Sequence, residues 1–200
     1  VFDDIFGRPT PPPGPTLVTF VCMGNICRSP LAEKVLRARL RERGFGDVEI
    51  TSAGLQAVVG SGMDELPKAI AERAGADSAH VAKPVSAELL RASSLILTMT
   101  REQRAEIAQE YPFALKRTFT LVEFTRILTE LEGDVPRPSR SAGRTLFDAV
   151  VDASRFRGMI ALTEVDDIED PYRRSAETHE RVGSRVTQLA DHLAEQIAGS

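Results

Sequence analysis

Only two cysteines occur in this chain, Cys22 and Cys27, and both fall in one short stretch. That is too few for a disulfide-stapled scaffold, and a bridge between them would constrain almost nothing. The chain therefore reads as a protein of a reducing, cytoplasmic setting. No apolar run approaches the roughly 20 residues that span a bilayer, so no membrane insertion is expected. The first residues, Val1 to Ile5, lack the basic-then-apolar order of a signal peptide. Positive charge is not in excess either. Lys and Arg number 25 against 29 Asp and Glu, for a net charge of −4, which excludes the strongly basic footprint of a nucleic-acid binder.

What is present is order. Residues 1–15 carry five prolines and read as an extended arm. A single domain is expected over 16–200, since 200 residues supply one full core and are marginal for two. Leu17–Val21 is a continuous apolar run, as in a strand buried on both faces. Pro30 suits a first helical turn, and Ala32, Val35, Leu36 and Leu40 then share one face. Val48–Thr51 reads as a second strand, Met63–Ala74 as a helix, Ser86–Arg91 as a short helix and Ser94–Met99 as a third strand. Thr100 and Gln103 have the form of a capping box that opens another helix. Lys116–Thr120 is the expected fourth strand. Apolar spacing then predicts helices over 122–131 and 146–151, with a loop over 132–143 between them, and a long amphipathic helix over 182–197. Strands alternating with helices predict an α/β fold with a parallel sheet.

The stretch from Cys22 to Ser29 sits where such a sheet binds ligands, just beyond a strand's carboxyl end. Backbone N–H groups of residues 23–28, at the start of a helix, could cradle a phosphate-sized anion. Gly24 would permit close approach and unusual dihedrals. Arg28 adds a planar, bidentate clamp. The same field favours the thiolate of Cys22, which would attack phosphorus in line, and Ser29 could hydrogen-bond the sulfur as it leaves. A two-step reaction needs an acid and then a base. Asp170, in the acidic run before Pro171 and Tyr172, is the candidate for both, with Tyr172 as a pocket wall.

Val21–Pro30 resembles the signature of low-molecular-weight protein tyrosine phosphatases, and Asp170-Pro171-Tyr172 resembles their general-acid motif. Thr51-Ser52-Ala53-Gly54 is similar to a third element of the family. The likeness spans about residues 16–120 and 166–198. It implies a flavodoxin-like, four-stranded parallel sheet flanked by helices on both faces, and a phosphocysteine intermediate formed without metal or other cofactor. It implies Cys22 as nucleophile, Arg28 as phosphate ligand and Asp170 as general acid and base. Met23, Gly24, Asn25, Ile26, Cys27, Ser29 and Tyr172 would contact the substrate. Asn25, Ser29, Ser52 and His80 match positions that hold the loop in shape, and Cys27 matches a second cysteine able to bridge the nucleophile on oxidation. The implied partner is a phosphotyrosine protein, a bacterial tyrosine kinase among the targets.

The departures carry information as well. Thr100 stands where the family usually has Asp, and both residues cap helices. Leu55–Val59 lacks an aromatic residue common there, so one pocket wall is expected to be aliphatic. Arg173 replaces a second aromatic. Ile26, where arginine phosphatases carry a smaller polar residue, favours a phenyl phosphate. The segment 121–165 is longer than usual and reads as a helical insertion without a family role. Arg137, Arg140 and Arg144 within it read as a solvated loop. Three alternatives share the motif: an arsenate reductase, which would want a third cysteine; a phosphoarginine phosphatase; and a phosphate-binding module without turnover.

Overall fold

The computed structural model describes residues 16–45, 48–134, 146–157 and 163–198. The proline-rich arm and the loop arginines Arg137, Arg140 and Arg144 lie outside the described residues.

Four parallel strands form one sheet in the order β2-β1-β3-β4. They are β1 (Thr16–Cys22), β2 (Val48–Gly54), β3 (Leu95–Thr98) and β4 (Thr118–Thr120). The apolar run of β1 places it at the centre, paired with β2 on one side and β3 on the other. Alternate residues feed two cores. Val18, Phe20 and Cys22 join Leu95, Leu97 and Phe119 on one face, while Val21 and Ile96 pack with Leu90, Ile107 and Ala114 on the other.

Helix α1 (Arg28–Glu42) buries Leu31, Ala32, Val35, Leu36 and Leu40, the face its spacing predicts. Next come α2 (Glu65–Arg73), α3 (Ala87–Ala92) and α4 (Arg101–Glu110). The start of α2 falls at Glu65 rather than Met63 because Asp64 caps it, its side chain accepting from Glu65 N–H at 3.1 Å. Thr100 caps α4 as expected, accepting from Gln103 N–H at 3.2 Å. Gln103 reaches back one residue further, to Met99 N–H at 3.0 Å. The fourth strand is shorter than its sequence predicts: Lys116 and Arg117 belong to a 3-10 turn, Pro112–Arg117. Proline at its first position favours that turn over an extended start.

Two helices occupy the longer segment, α5 (Leu121–Asp134) and α6 (Leu146–Phe156). Thr120 and Glu123 form a reciprocal capping pair at the start of α5, at 3.0 and 3.1 Å. Helix α5 continues through residues expected in the loop, as far as Asp134. Its apolar face and that of α6 enter the first core through Phe124, Ile127, Leu131, Leu146 and Val150. The chain closes with α7 (Ala176–Ala198), whose Val182, Val186, Ala190 and Leu193 are buried.

The sheet order fixes the site. After β1 the chain moves outward to β2 and then returns across β1 to β3. Loops leaving β1 and β3 thus diverge at their carboxyl ends and open a crevice there. The stretch that begins at Cys22 lies at that crevice.

Candidate active site

From Cys22 to Cys27 the backbone turns every carbonyl outward onto a partner. Cys22 O accepts from Leu55 N–H at 3.0 Å, Met23 O from Gln56 N–H at 2.9 Å and Gly24 O from Val58 N–H at 3.0 Å. Asn25 O accepts from His80 Nε2 at 2.7 Å, Ile26 O from Asp64 N–H at 2.9 Å and Cys27 O from Leu31 N–H at 3.3 Å. The amide hydrogens are left over. Among the described residues, no N–H of residues 23–27 donates to another group. Helix α1 starts directly after them, and its N-cap residue, Cys27, provides no side-chain cap. A row of free N–H groups leading into a helix N-terminus is an anion cradle.

Asn25 makes the loop possible. Its φ of 55° puts it in the left-handed region, which Asn tolerates better than most residues. The unusual dihedral expected at Gly24 falls here instead, because Asn25 can bond in three directions from that conformation. Its Nδ2 donates to Ser29 Oγ at 3.0 Å and to Ser52 Oγ at 2.9 Å. Its Oδ1 accepts from Lys83 N–H at 3.0 Å. Ser52 Oγ in turn donates to buried Glu33 at 2.6 Å, and Arg37 and Lys34 neutralise Glu33 at 2.7 and 3.3 Å.

The network also orients a proton toward the thiol. Ser29 Oγ accepts from Asn25, so its single O–H is free to point at Cys22 Sγ, 2.9 Å away. The alternative acceptor, Ala53 O, is at 3.5 Å. A hydroxyl aimed at sulfur stabilises its negative charge.

Gly54 explains how β2 approaches so closely. A Cβ there would stand 2.6 Å from Met23 O and 3.0 Å from Asn25 N, nearer than side-chain carbons pack. Gly24, by contrast, faces only the side chains of Ile26 and Val58, at ordinary contact distances.

Arg28 is 3% exposed. Its Nη1 donates to Ile168 O at 2.9 Å and its Nη2 to Asp170 Oδ2 at 2.5 Å. Its buried Nε has no partner among the described residues, which is costly unless a ligand oxygen accepts from it. Asp170 is half-exposed, and its other oxygen accepts from Tyr172 N–H at 3.1 Å.

These groups meet in one cleft of about 160 Å³, lined by Cys22, Met23, Gly24, Ile26, Cys27, Arg28, Gln56, Val58, Asp170 and Tyr172. The aliphatic wall expected from Leu55–Val59 is Val58. Asn25, Ser29, Ser52 and His80 do not line the cleft; they grip the loop from behind. A larger, more open hollow of about 290 Å³ lies on that rear side, against Glu33, Ser52 and His80, and neither cysteine lines it. No helix among the described residues is long and apolar enough to cross a membrane.

The two cysteines are unlike. Both are free and buried. Burial pushes the Cys27 thiol up to about 12, and the nearby Asp64 carboxylate adds to this, with lesser contributions from Cys22 and Asp170 and opposition from Arg28. Its Sγ lies 3.9 Å from Asp64 Oδ2. Cys27 is thus held as a neutral thiol beside Cys22. Burial also lowers the pKa of His80, against the pull of the Asn25 carbonyl. A neutral ring donating from Nε2 fits that contact.

Sequence reading missed Glu33, Gly54, Asp64 and Lys83, and the arginines that hold the acidic run. Gln56, Asp64 and Lys83 act on the loop through backbone N–H groups, which any residue but proline supplies. Gly54 belongs to the Thr51–Gly54 element, yet the close approach it permits has no sequence signal of its own.

The family model described as low molecular weight phosphotyrosine protein phosphatase matches residues 17–159. The chain is 42% identical over 105 residues to the low molecular weight protein-tyrosine-phosphatase Ptp of Acinetobacter johnsonii, covering 52% of this chain and 70% of that one. It is 32% identical over 124 residues to a protein-arginine-phosphatase of Geobacillus stearothermophilus, covering 62% and 79%. A low molecular weight protein tyrosine phosphatase from T. tengcongensis superposes with a TM-score of 0.67 at 26% identity, covering 90% of this chain and 98% of that one. The matched span ends before Asp170, so the placement of that residue rests on the structure alone. With the sheet order and this match in agreement, the chain belongs to the low molecular weight phosphotyrosine protein phosphatase family.

Proposed function

We propose that this chain hydrolyses phosphotyrosine on proteins through a phosphocysteine at Cys22. The observation that carries the reading is the loop's hydrogen-bond pattern: carbonyls from Cys22 to Cys27 bonded outward, and N–H groups of 23–27 left free around the thiol. A phosphate dianion fits those donors and the Nε of Arg28, which has no partner among the described residues.

In the first step the Cys22 thiolate attacks phosphorus, the phosphorus–oxygen bond to the tyrosyl group breaks, and Asp170 delivers a proton to the leaving oxygen. In the second, Asp170 takes a proton from water, the hydroxide attacks phosphorus, and the sulfur leaves, stabilised by Ser29 O–H. Arg28 and the loop amides hold the equatorial oxygens throughout. Val58, Ile26 and Tyr172 supply apolar and aromatic walls for a phenyl ring. The reading places the reaction in a reducing compartment such as the cytoplasm, where Cys22 stays reduced. A bacterial tyrosine kinase is the protein partner it favours.

A second reading, phosphoarginine hydrolysis, is favoured by the arginine phosphatase relative. Matched phosphotyrosine and phosphoarginine peptides, assayed in reductant without metal, separate the two. Phosphotyrosine turnover that vanishes in Cys22→Ser supports the proposal. Turnover of phosphoarginine alone would replace it, and turnover of neither would favour an arsenate reductase or a silent phosphate-binding module.

A further inference from the structure

Each carboxylate of the acidic run before Pro171 is taken by an arginine from a different element. Arg126, on α5, reaches Asp166 Oδ1 at 2.6 Å. Arg101, at the start of α4, forks onto Asp167, with Nη2 at 2.9 Å and its own N–H at 2.7 Å. Arg181, on α7, pairs with Glu169, and Arg28 holds Asp170. Ile168 sits among them fully buried, its N–H on Met99 O at 2.8 Å. The run is therefore a clamped strap rather than a solvated turn.

The clamps are unequal. Glu169 and Arg181 are both exposed, and exposed pairs hold weakly. Burial would raise the pKa of Asp167, but the hydrogen bonds from Arg101 prevail and hold it below its usual range. That pair is about one-third exposed. Asp166 alone is fully buried. Its second oxygen accepts from Thr163 N–H at 2.7 Å, closing the capping box of a 3-10 turn over Glu164–Asp166. A buried carboxylate deprived of its cation must move toward water. Its cation comes from α5, near the start of the longer segment.

We propose that Arg126, acting through Asp166, is a positioning residue for Asp170, so that α5 sets how the acid loop reaches over the Cys22 loop. This rests on the phosphatase reading above. Three residues separate Asp166 from Asp170, and the middle one, Ile168, is pinned by its N–H on Met99 O. Opening the turn at Asp166 shifts Ile168, and with it the carbonyl that Arg28 holds at 2.9 Å. A proton donor displaced by about 1 Å loses on the order of 10²-fold in rate.

The test uses the full chain and two small substrates. Phenyl phosphate needs its leaving oxygen protonated; 2,4-dinitrophenyl phosphate does not. Wild type, Arg126→Ala, Arg126→Lys and Asp170→Asn are compared by kcat/KM, with the double variant Arg126→Ala/Asp170→Asn. Arg126→Ala is expected to lose about tenfold on phenyl phosphate and less than about twofold on the dinitrophenyl ester. Arg126→Lys should recover most of the loss, and Arg126→Ala should add nothing in the Asp170→Asn background. Equal losses on both esters, no loss, or a full loss persisting without Asp170 would each overturn the proposal. If Arg126→Ala does not fold, Arg126→Gln against Arg126→Lys gives the same comparison. A wild type inactive on both esters would overturn the phosphatase reading itself, and the proposal with it.

Discussion

Arg28 Nη2 lies 2.5 Å from Asp170 Oδ2. The proposed phosphate ligand and the proposed general acid are thus bonded to each other. An incoming phosphate must share or displace that carboxylate, while Arg28 Nε has no partner among the described residues. Asp170→Asn should therefore separate binding from chemistry. Inorganic phosphate is expected to inhibit the variant at several-fold lower concentration, since one negative charge leaves the cradle. Its kcat/KM on phenyl phosphate should fall by about 10²-fold or more. A variant that bound phosphate more weakly would show that Asp170 supports the anion rather than competing with it.

Gly54 sits against Met23 O and Asn25 N with no room for a methyl group. The obstacle is backbone, which cannot swing aside as a flexible side chain would. Gly54→Ala should cost about 1–3 kcal/mol in stability and weaken phosphate binding, because the carbonyl of Met23 is the group displaced. By contrast, Gly24→Ala, which meets only side chains, should leave the melting temperature nearly unchanged. Thermal unfolding with and without phosphate distinguishes them. Equal destabilisation by both variants would refute the close-approach argument.

The contrast between those glycines shows what the sequence made legible. Cys22, Arg28 and Ser29 were readable because their chemistry is local: strand, loop and helix start are contiguous, and the residue types are few. Asp170 was readable from the Pro171-Tyr172 context. The four-stranded parallel sheet followed from apolar runs alternating with helical spacing. Gly54 and the N–H donors of Gln56, Val58 and Asp64 act through backbone position, and a backbone group leaves no compositional trace. The arginine clamps were hidden for another reason. Arg101, Arg126 and Arg181 are ordinary exposed-face residues of their helices, and only tertiary packing pairs them with one acidic run. The 3-10 turn at Pro112–Arg117 defeated the strand assignment at Lys116 because alternation over so few residues fits either conformation.

His80 supplies a pH dependence with a definite sign. Burial lowers its pKa below 6.5, outweighing the hydrogen bond to Asn25 O. In the unfolded chain the ring protonates nearer 6.5, so below that value the unfolded state binds more protons. The contribution of His80 to stability is complete above about pH 6.5 and is lost as pH falls through the window beneath it. Wild type is expected to lose melting temperature between about pH 7 and pH 5 more steeply than His80→Gln, whose amide can still donate to Asn25. Parallel pH profiles for the two proteins would remove His80 as the titrating group.

Cys27 shapes what oxidation does to the site. Burial and Asp64 hold it as a thiol, with a value of about 12, so at neutral pH it is a poor nucleophile. Alkylation by iodoacetamide should accordingly modify Cys22 alone, and phosphate should protect it. Hydrogen peroxide is expected to act in two stages. Cys22 first gives up two electrons to become the sulfenic acid, with release of water. The sulfur of Cys27 then attacks that sulfur, a second water leaves, and the disulfide closes. The scarcity of Cys27 thiolate makes closure the slow stage. Asp64→Asn removes the carboxylate 3.9 Å from Cys27 Sγ and can still cap α2. It should leave the first oxidation unchanged and speed closure severalfold. Mass spectrometry with a sulfenic-acid trap follows both stages, each intermediate having its own mass. Unchanged closure in Asp64→Asn would show that burial by itself, without the carboxylate, keeps Cys27 quiet.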